Sequence, residues 1–217
     1  MLQYSRRARG EEQRGAEMTK RQESAQATRR KLIEATKEIV RAKGLAETTI
    51  EEICSSCGVA KGTFYTYFRK KEDVLSELNC HEAFQTLLQD AKEQRKSFQE
   101  RLTFYMCGFA SLIEESGLKL CQEWVRNTAT PEFALNSAGI DKLRLDRAQT
   151  LELFSDGVSR GELRSDAPIE SLADLVVDLL YGQMLCWVTS NGERGFVERT
   201  REFCQSQLGT ILQPWLK

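Results

Sequence analysis

The sequence is poor in residues that interrupt helices and in residues that commonly carry out catalysis. Its 217 residues include only three prolines, Pro131, Pro168 and Pro214, and no long stretch alternates apolar with polar residues. We therefore predict an all-α fold. The chain has a single histidine, His81, and lacks a glycine-rich phosphate loop, a nucleophile motif and a carboxylate-rich metal motif. These absences argue against an enzyme, and we expect no cofactor.

Long hydrophobic runs are also missing. No uninterrupted apolar segment approaches the roughly 18 residues of a membrane span. The charged amino terminus is not followed by the apolar segment of a secretory signal. We therefore expect a cytoplasmic protein that makes no contact with a membrane. The 41% of apolar residues is enough for a core in one or two domains.

Charge is balanced over the whole chain but not along it. Residues 1–75 contain 16 Lys/Arg and 11 Asp/Glu, a net +5, whereas residues 76–217 contain 15 and 21, a net −6. A basic front part is typical of a chain whose first domain meets a polyanion. We predict a flexible polar arm over 1–27, a first domain over 28–75 and a helical second domain over 76–217. Met18 would serve equally well as a start, so the first 17 residues are a candidate upstream extension.

The apolar periodicity predicts a series of helices. The first begins at Thr28, an N-cap candidate, and a short second one begins at Thr49 with a capping-box pattern. Gly58 ends the second helix, and a third covers about 61–67. The remaining helices are predicted from about Lys71 onward and over about 97–116, 118–128, 139–161, 168–190 and 195–213.

The segment KGTFYTY, residues 61–67, has the faces of a helix that approaches another molecule closely. At 100° per residue, Phe64 and Phe68 point inward. The outward face is small and polar and has a tyrosine on each flank: Gly62, Thr63, Thr66, Tyr65 and Tyr67. Such a face can touch base edges in the DNA major groove, and the tyrosine hydroxyls and free N–H groups at the helix start can bind phosphates. The ammonium groups of Lys61 and Lys71 add two further phosphate partners.

The stretch TRRKLIEATKEIVRAKGLAETTIEEICSSCGVAKGTFYTYFRKKEDVLSEL, residues 28–78, resembles the DNA-binding domain of the TetR family, the tetracycline-repressor type of regulator. Its most specific part is GVAKGTFYTYFRKKEDV. The resemblance covers about a quarter of the chain. It implies a helix-turn-helix domain followed by a larger helical domain for effector binding and dimerisation. In the family, the residues that match the following positions contact DNA: Thr49, Lys61, Gly62, Thr63, Tyr65, Tyr67 and Lys71.

Two positions depart from the family pattern. Ala60 stands where relatives often have an N-capping serine, and Lys70 replaces another frequent cap at the start of the next helix. Loss of the first cap weakens the helix start by about 1 kcal/mol. Neither departure removes a group that would contact DNA.

The resemblance also implies partners. It predicts a repressor that binds a palindromic double-stranded DNA operator, a small-molecule effector, and a homodimer formed through helices at about 168–190 and 195–213. Candidate pocket residues are Phe104, Phe109, Trp124 and Met184, although such residues also simply fill helical cores. Glu123 beside Trp124 is a candidate partner for a cationic ligand, with an exposed charge as the simpler interpretation.

The pair Cys54 and Cys57 has the spacing of a redox dithiol or of half a zinc site. The resemblance places both where relatives commonly have alanine, facing the core. Tetrahedral zinc needs four ligands, and no second pair at zinc-finger spacing follows. We favour small packing residues. A thiol- or metal-responsive regulator that uses Cys54 and Cys57 stays open, as does a helical ligand-binding protein without operator function.

Overall fold

The computed structural model describes residues 2–75, 81–94, 96–128 and 138–217. The fold of these residues is all-α, as predicted, and they contain no strand beyond a single bridge between Leu163 and Leu216. The α-helices are α1 (Leu2–Lys43), α2 (Ile50–Cys57), α3 (Lys61–Tyr67), α4 (Lys71–Leu75), α5 (His81–Glu93), α6 (Phe98–Ser116), α7 (Leu118–Thr128), α8 (Ala138–Ser159), α9 (Ile169–Thr189), α10 (Phe196–Phe203) and α11 (Gly209–Leu212).

Helix α1 runs through the segment for which the sequence predicted a flexible arm. It begins at Leu2, and Thr28 lies in its interior instead of at its N-cap. The Thr28 hydroxyl donates to the carbonyl oxygen of Ser24 at 2.9 Å, a bond within the helix. Residues 1–27 contain no proline and many Gln, Glu, Arg and Ala. These residues have high helix propensity, which explains why a polar segment continues the helix.

The chain divides into two compact units, residues 1–77 and 78–217. The boundary predicted from the sequence lies two residues earlier. The first unit closes on a small core formed by α1 to α4, whose buried members are Leu32, Ile53, Cys54, Phe64, Phe68 and Val74.

Local signals set the helix ends of the first unit. The Thr49 hydroxyl caps α2 by accepting a hydrogen bond from the Glu52 N–H at 3.2 Å, as predicted. Gly58 takes a left-handed conformation (φ 66°) at the end of α2, which glycine adopts without steric cost. Helix α3 follows without a side-chain cap at Ala60, as expected.

The second unit has a larger core and one fully buried arginine. The Arg101 guanidinium donates to the Glu162 carboxylate at 2.9 and 2.7 Å and to Asp156 at 3.2 Å. Gly157 lies inside α8. A Cβ there would come within 2.6 Å of the Phe98 ring, so the glycine permits close packing of α6 on α8.

By length and composition, α9 could cross a membrane. Half of the apolar window is buried inside the second unit, as is typical of a core helix. Leu172, Val176 and Leu180 lie on this buried face.

The helix predicted over 195–213 is interrupted. Helix α10 passes through a π-helical turn, Cys204–Leu208, into α11. Cys204 is buried, and its thiol donates to the Met106 sulfur at 3.9 Å. The neighbouring Cys204 thiol lowers the pKa of Cys107 to about 7, with a smaller contribution from Arg201. The Cys107 side chain is only partly buried.

Candidate functional site

Helix α3 presents the two faces that the sequence predicted. Phe64 is fully buried and Phe68 nearly so, and their ring centres lie 5.4 Å apart. Tyr65 is 51% exposed although it is a large aromatic residue. Gly62 is also exposed, and a Cβ there would meet no atom within 4 Å. The outward surface of α3 is therefore thin around Gly62, with one exposed ring beside it.

The other residues of this face differ in their exposure to solvent and in their hydrogen bonds. The Thr66 hydroxyl is exposed but donates to the Gly62 carbonyl oxygen at 3.1 Å. Thr63 is half-buried. Tyr67 packs partly against the core of the first unit, so it presents less of its ring to solvent than Tyr65.

Lys61 is paired with an acidic residue that was not among the predicted site residues. Its ammonium forms an ion pair with the Glu51 carboxylate on α2, and both side chains are exposed. The hydrogen bond between them lowers the pKa of Glu51 and raises the pKa of Lys61. Because the two residues are ten positions apart and separated by a turn, no helical spacing indicates the pair.

Lys71 lies against backbone carbonyl groups. Its ammonium donates to the carbonyl oxygens of Leu45, Thr48 and Ala46 at 2.6, 2.8 and 3.3 Å. An ammonium has three donors, so these acceptors can use all of them. Lys71 therefore ties α4 to the loop that leads into the Thr49 cap of α2.

An acidic side chain compensates for the missing cap at Lys70. The Asp73 carboxylate, in the first turn of α4, accepts hydrogen bonds from the backbone N–H groups of Arg69 and Lys70 at 3.0 and 3.1 Å. This is the reach-back arrangement of a capping box. The spacing of Lys70 and Asp73 was the available signal for it.

The two cysteines of the first unit have separate environments. Cys54 is buried in the core, and burial raises the pKa of its thiol. The partly buried Cys57 thiol donates to the Lys31 carbonyl oxygen at 3.3 Å. A raised pKa disfavours the thiolate that redox and metal chemistry require. Among the described residues, no group of three or more His, Cys, Asp or Glu could hold a metal ion.

The four candidate pocket residues occupy different places in the second unit. Phe109 and Met184 are buried in its core, whereas Phe104 is 38% exposed. Trp124 packs edge-on against Tyr181, with ring centres 5.9 Å apart. The expectation of an exposed Glu123 is wrong, because this residue is only 8% exposed.

A charged cluster lies inside the same unit. Lys142 donates to both carboxylate oxygens of Asp146 at 2.7 and 2.5 Å, and the Tyr181 hydroxyl donates to that carboxylate at 2.8 Å. The Lys142 and Asp146 side chains are 9% and 1% exposed. The Lys142 nitrogen lies 4.3 Å from the ring centre of Phe84 and 5.3 Å from that of Phe109. The cluster thus joins α5, α6, α8 and α9.

This ion pair was not predicted from the sequence. Its only local signal is the spacing of Lys142 and Asp146, one turn apart on α8, which is typical of an exposed surface pair. Burial follows from the packing of α8 against other helices.

Buried polar atoms near the cluster lack partners. Gln149, one turn beyond Asp146 on α8, is 2% exposed, and its amide nitrogen and oxygen have no hydrogen-bond partner among the described residues. The buried Tyr105 hydroxyl has no well-formed hydrogen bond in that part of the chain either. Thr150 lies beside it, but donates to the Asp146 carbonyl oxygen. Burial raises the pKa of Tyr105 and of Tyr181, so both stay neutral.

An open groove of about 530 Å³ runs between α9 and the segment from α10 to the π-helical turn. Gly182 and Gln183 lie on one side, and Arg199 and Phe203 lie on the other. None of the four candidate pocket residues lines it.

Comparison with known proteins agrees with this arrangement. Residues 32–78 match the family model "Bacterial regulatory proteins, tetR family". The chain is 24% identical over 174 residues to the HTH-type transcriptional regulator UidR of Escherichia coli strain K12, covering 76% of this chain and 84% of UidR. It is 23% identical over 186 residues to the HTH-type transcriptional repressor BepR of Brucella suis, covering 82% and 88%.

A solved structure shows the same fold. Bacillus subtilis FadR in complex with stearoyl-CoA superposes with a TM-score of 0.60 at 20% identity, covering 81% of this chain and 97% of FadR. The family match falls on the unit that carries α3 and its exposed face. The chain is therefore a DNA-binding transcriptional regulator whose residues 32–78 match the tetR family of bacterial regulatory proteins.

Proposed function

We propose that the protein is a cytoplasmic repressor that binds a palindromic operator as a homodimer and is released by a small-molecule effector. The exposed face of α3 carries the DNA-binding part of this proposal. A 51% exposed tyrosine beside an open glycine on a short helix is a surface built for close approach.

The proposed interface divides into base-reading and phosphate-binding groups. Gly62, Thr63, Tyr65 and Thr66 face the base edges, and Tyr67 lies at the margin. Lys61 and the start of α2 at Thr49 bind phosphates. Because Lys71 already binds three carbonyl groups, we assign it a supporting role: it holds the loop that leads to Thr49.

The groove between α9 and α10 supports the proposed dimer. Leu175 and Leu185 on α9 are 45% and 47% exposed, which is high for leucines on one helix of a core. Asp178, Arg194 and Glu202 line the groove, where Arg194 and Glu202 form an ion pair with each other that a second copy could exchange across a two-fold contact. A two-fold arrangement would also supply the second recognition helix that a palindrome requires.

Effector control is proposed for the second unit. BepR is described as a repressor, and FadR was solved with stearoyl-CoA. In this chain, effector binding would favour a conformer with a changed separation of the two recognition helices. DNA and effector would then weaken each other's binding by the same factor.

The test is fluorescence anisotropy on the DNA upstream of the protein's own gene, beside a scrambled duplex and across a salt titration. We expect a preference of about 10³ or more for the upstream DNA and a steep salt slope. We also expect Tyr65→Ala to remove most of this preference. Equal binding of the wild type to both duplexes and to further candidate operators would contradict the proposal.

A further inference from the structure

We propose that the Asp146 carboxylate and the rings of Phe84 and Phe109 form the binding site for the charged head of a cationic effector. In the absence of effector, Lys142 occupies this site as a tethered stand-in. The inference rests on the proposed effector control and names the chemical class of the effector: an organic monocation with a protonated amine or a small quaternary ammonium group.

The geometry is that of a cation site that is already filled. The Lys142 nitrogen contacts both Asp146 oxygens at 2.7 and 2.5 Å and lies over the Phe84 ring at 4.3 Å and near the Phe109 ring at 5.3 Å. A carboxylate combined with aromatic faces is the arrangement that recognises ammonium groups. The Tyr181 hydroxyl holds the carboxylate from the other side at 2.8 Å.

The number of buried, unpaired charges favours a cation over an anion as the incoming ligand. A cation that replaces the Lys142 ammonium leaves the number of buried charges unchanged, and the displaced ammonium can be hydrated. An anion that paired with Lys142 would instead leave the Asp146 carboxylate, 1% exposed, without its counter-ion. Burying an unpaired charge is strongly unfavourable.

Lys142 is also the partner that can leave. It lies one turn nearer to the amino-terminal end of α8 than Asp146, and its long side chain can swing toward solvent. Asp146 has a short side chain and is held by Tyr181. The carboxylate and the rings therefore stay in place while the ammonium exchanges.

Gln149 gives independent support for a ligand. Its amide is buried on α8 one turn from Asp146, and neither of its polar atoms has a partner among the described residues. Buried amides in folded proteins are nearly always hydrogen-bonded. A polar group on the body of the ligand would satisfy this amide.

The position of Phe84 indicates which helix responds to occupancy. Phe84 is the fourth residue of α5, and α4 of the first unit ends at Leu75, only a few residues earlier in the chain. A head group that differs in size from the lysine ammonium would shift the Phe84 ring, and with it the start of α5.

The experiment is chemical rescue of Lys142→Ala in the full-length protein. The substitution removes the equivalent of an n-propylammonium ion, which is therefore the probe, with n-propanol as its neutral control and NaCl to keep ionic strength constant. Tryptophan fluorescence follows thermal unfolding of the second unit, because Trp124, Trp187 and Trp215 all belong to it. The matched control is Lys142→Ala/Asp146→Asn, which lacks both charges.

We expect n-propylammonium to raise the melting temperature of Lys142→Ala saturably, whereas n-propanol does not. The double variant should show no such rise. Apparent affinity for the probe should be at least about tenfold weaker in the wild type, because its tethered ammonium competes. An equal response of the single and double variants would overturn the proposal.

A variant that fails to fold still gives an answer. If Lys142→Ala is unfolded alone, refolding by n-propylammonium but not by n-propanol supports the site. If Lys142→Ala stays unfolded, the test is equilibrium dialysis of the wild-type protein against labelled choline. Binding displaced by n-propylammonium but not by the neutral isostere 3,3-dimethylbutan-1-ol is expected, and no such binding would overturn the site.

The operator assay separates this inference from effector control itself. If n-propylammonium binds Lys142→Ala but leaves operator affinity unchanged, the cation site stands and effector control through it fails. If another compound releases the operator while no cation binds at Asp146, effector control stands and the cation site fails.

Discussion

The role of Lys71 can be tested most directly, because the family resemblance and the structure indicate different roles for this residue. The family pattern predicts a phosphate contact, whereas the structure places its ammonium against three carbonyl oxygens of residues 45–48. Two of these hydrogen bonds, at 2.6 and 2.8 Å, are short enough to be strong. We expect Lys71→Met to remove them and to loosen the loop before Thr49.

The expected magnitude follows from these contacts. Hydrogen bonds that involve a charged group contribute roughly 1.5–3 kcal/mol net, and in the variant water can replace part of the interaction at this half-buried position. We expect a loss of about 2 kcal/mol in the unfolding free energy of the first unit. For a unit of this size, that loss lowers the melting temperature by roughly 10 °C.

The assay uses the distribution of tryptophan. All three tryptophans lie in the second unit, so far-ultraviolet circular dichroism reports on both units and tryptophan fluorescence reports on the second alone. Lys71→Met should lower the circular-dichroism transition and leave the fluorescence transition in place. Lys70→Met, the neighbouring exposed lysine, is the matched control for charge.

DNA binding distinguishes the two roles of Lys71. A supporting residue weakens operator binding with nearly unchanged salt dependence, whereas loss of a phosphate contact lowers the salt slope by about 1. Unchanged stability together with a slope lowered by about 1 would refute the supporting role.

Three further predictions concern other residues. Glu51→Gln should strengthen operator binding by about two- to fivefold in anisotropy, because Lys61 no longer has an exposed carboxylate partner; unchanged affinity would show that the pair does not compete with DNA. Peptide mass spectrometry should show that iodoacetamide at pH 7.5 modifies Cys107 well before Cys54. The rate of Cys107 modification should fall as the pH drops below about 7, because its thiolate is then protonated. Early modification of Cys54 would contradict its buried environment. Gly157→Ala should destabilise the second unit by about 1–3 kcal/mol in the fluorescence transition, because its Cβ would clash with a packed ring; an unchanged transition would contradict this close packing.

The best sequence predictions concerned interactions between residues close in the chain. The inward face of Phe64 and Phe68, the Thr49 cap and the turn at Gly58 all depend on contacts within about four residues. A turn or a cap has nearly the same geometry in any fold, so its residues indicate it directly. The prediction of a flexible amino-terminal arm is wrong, because the polar residues of this segment have high helix propensity.

The sequence by itself determined the all-α class and the face that α3 presents, because these follow from helical period and local caps, whereas the helix-turn-helix unit followed from the family resemblance. Only the tertiary structure decided the partners of the charged groups. Lys71 meets carbonyl groups 23 to 26 positions earlier in the chain, and Tyr181 meets Asp146 across 35 positions. Such contacts arise only when distant helices pack together, and burial then turns an ordinary lysine–aspartate spacing into a buried ion pair.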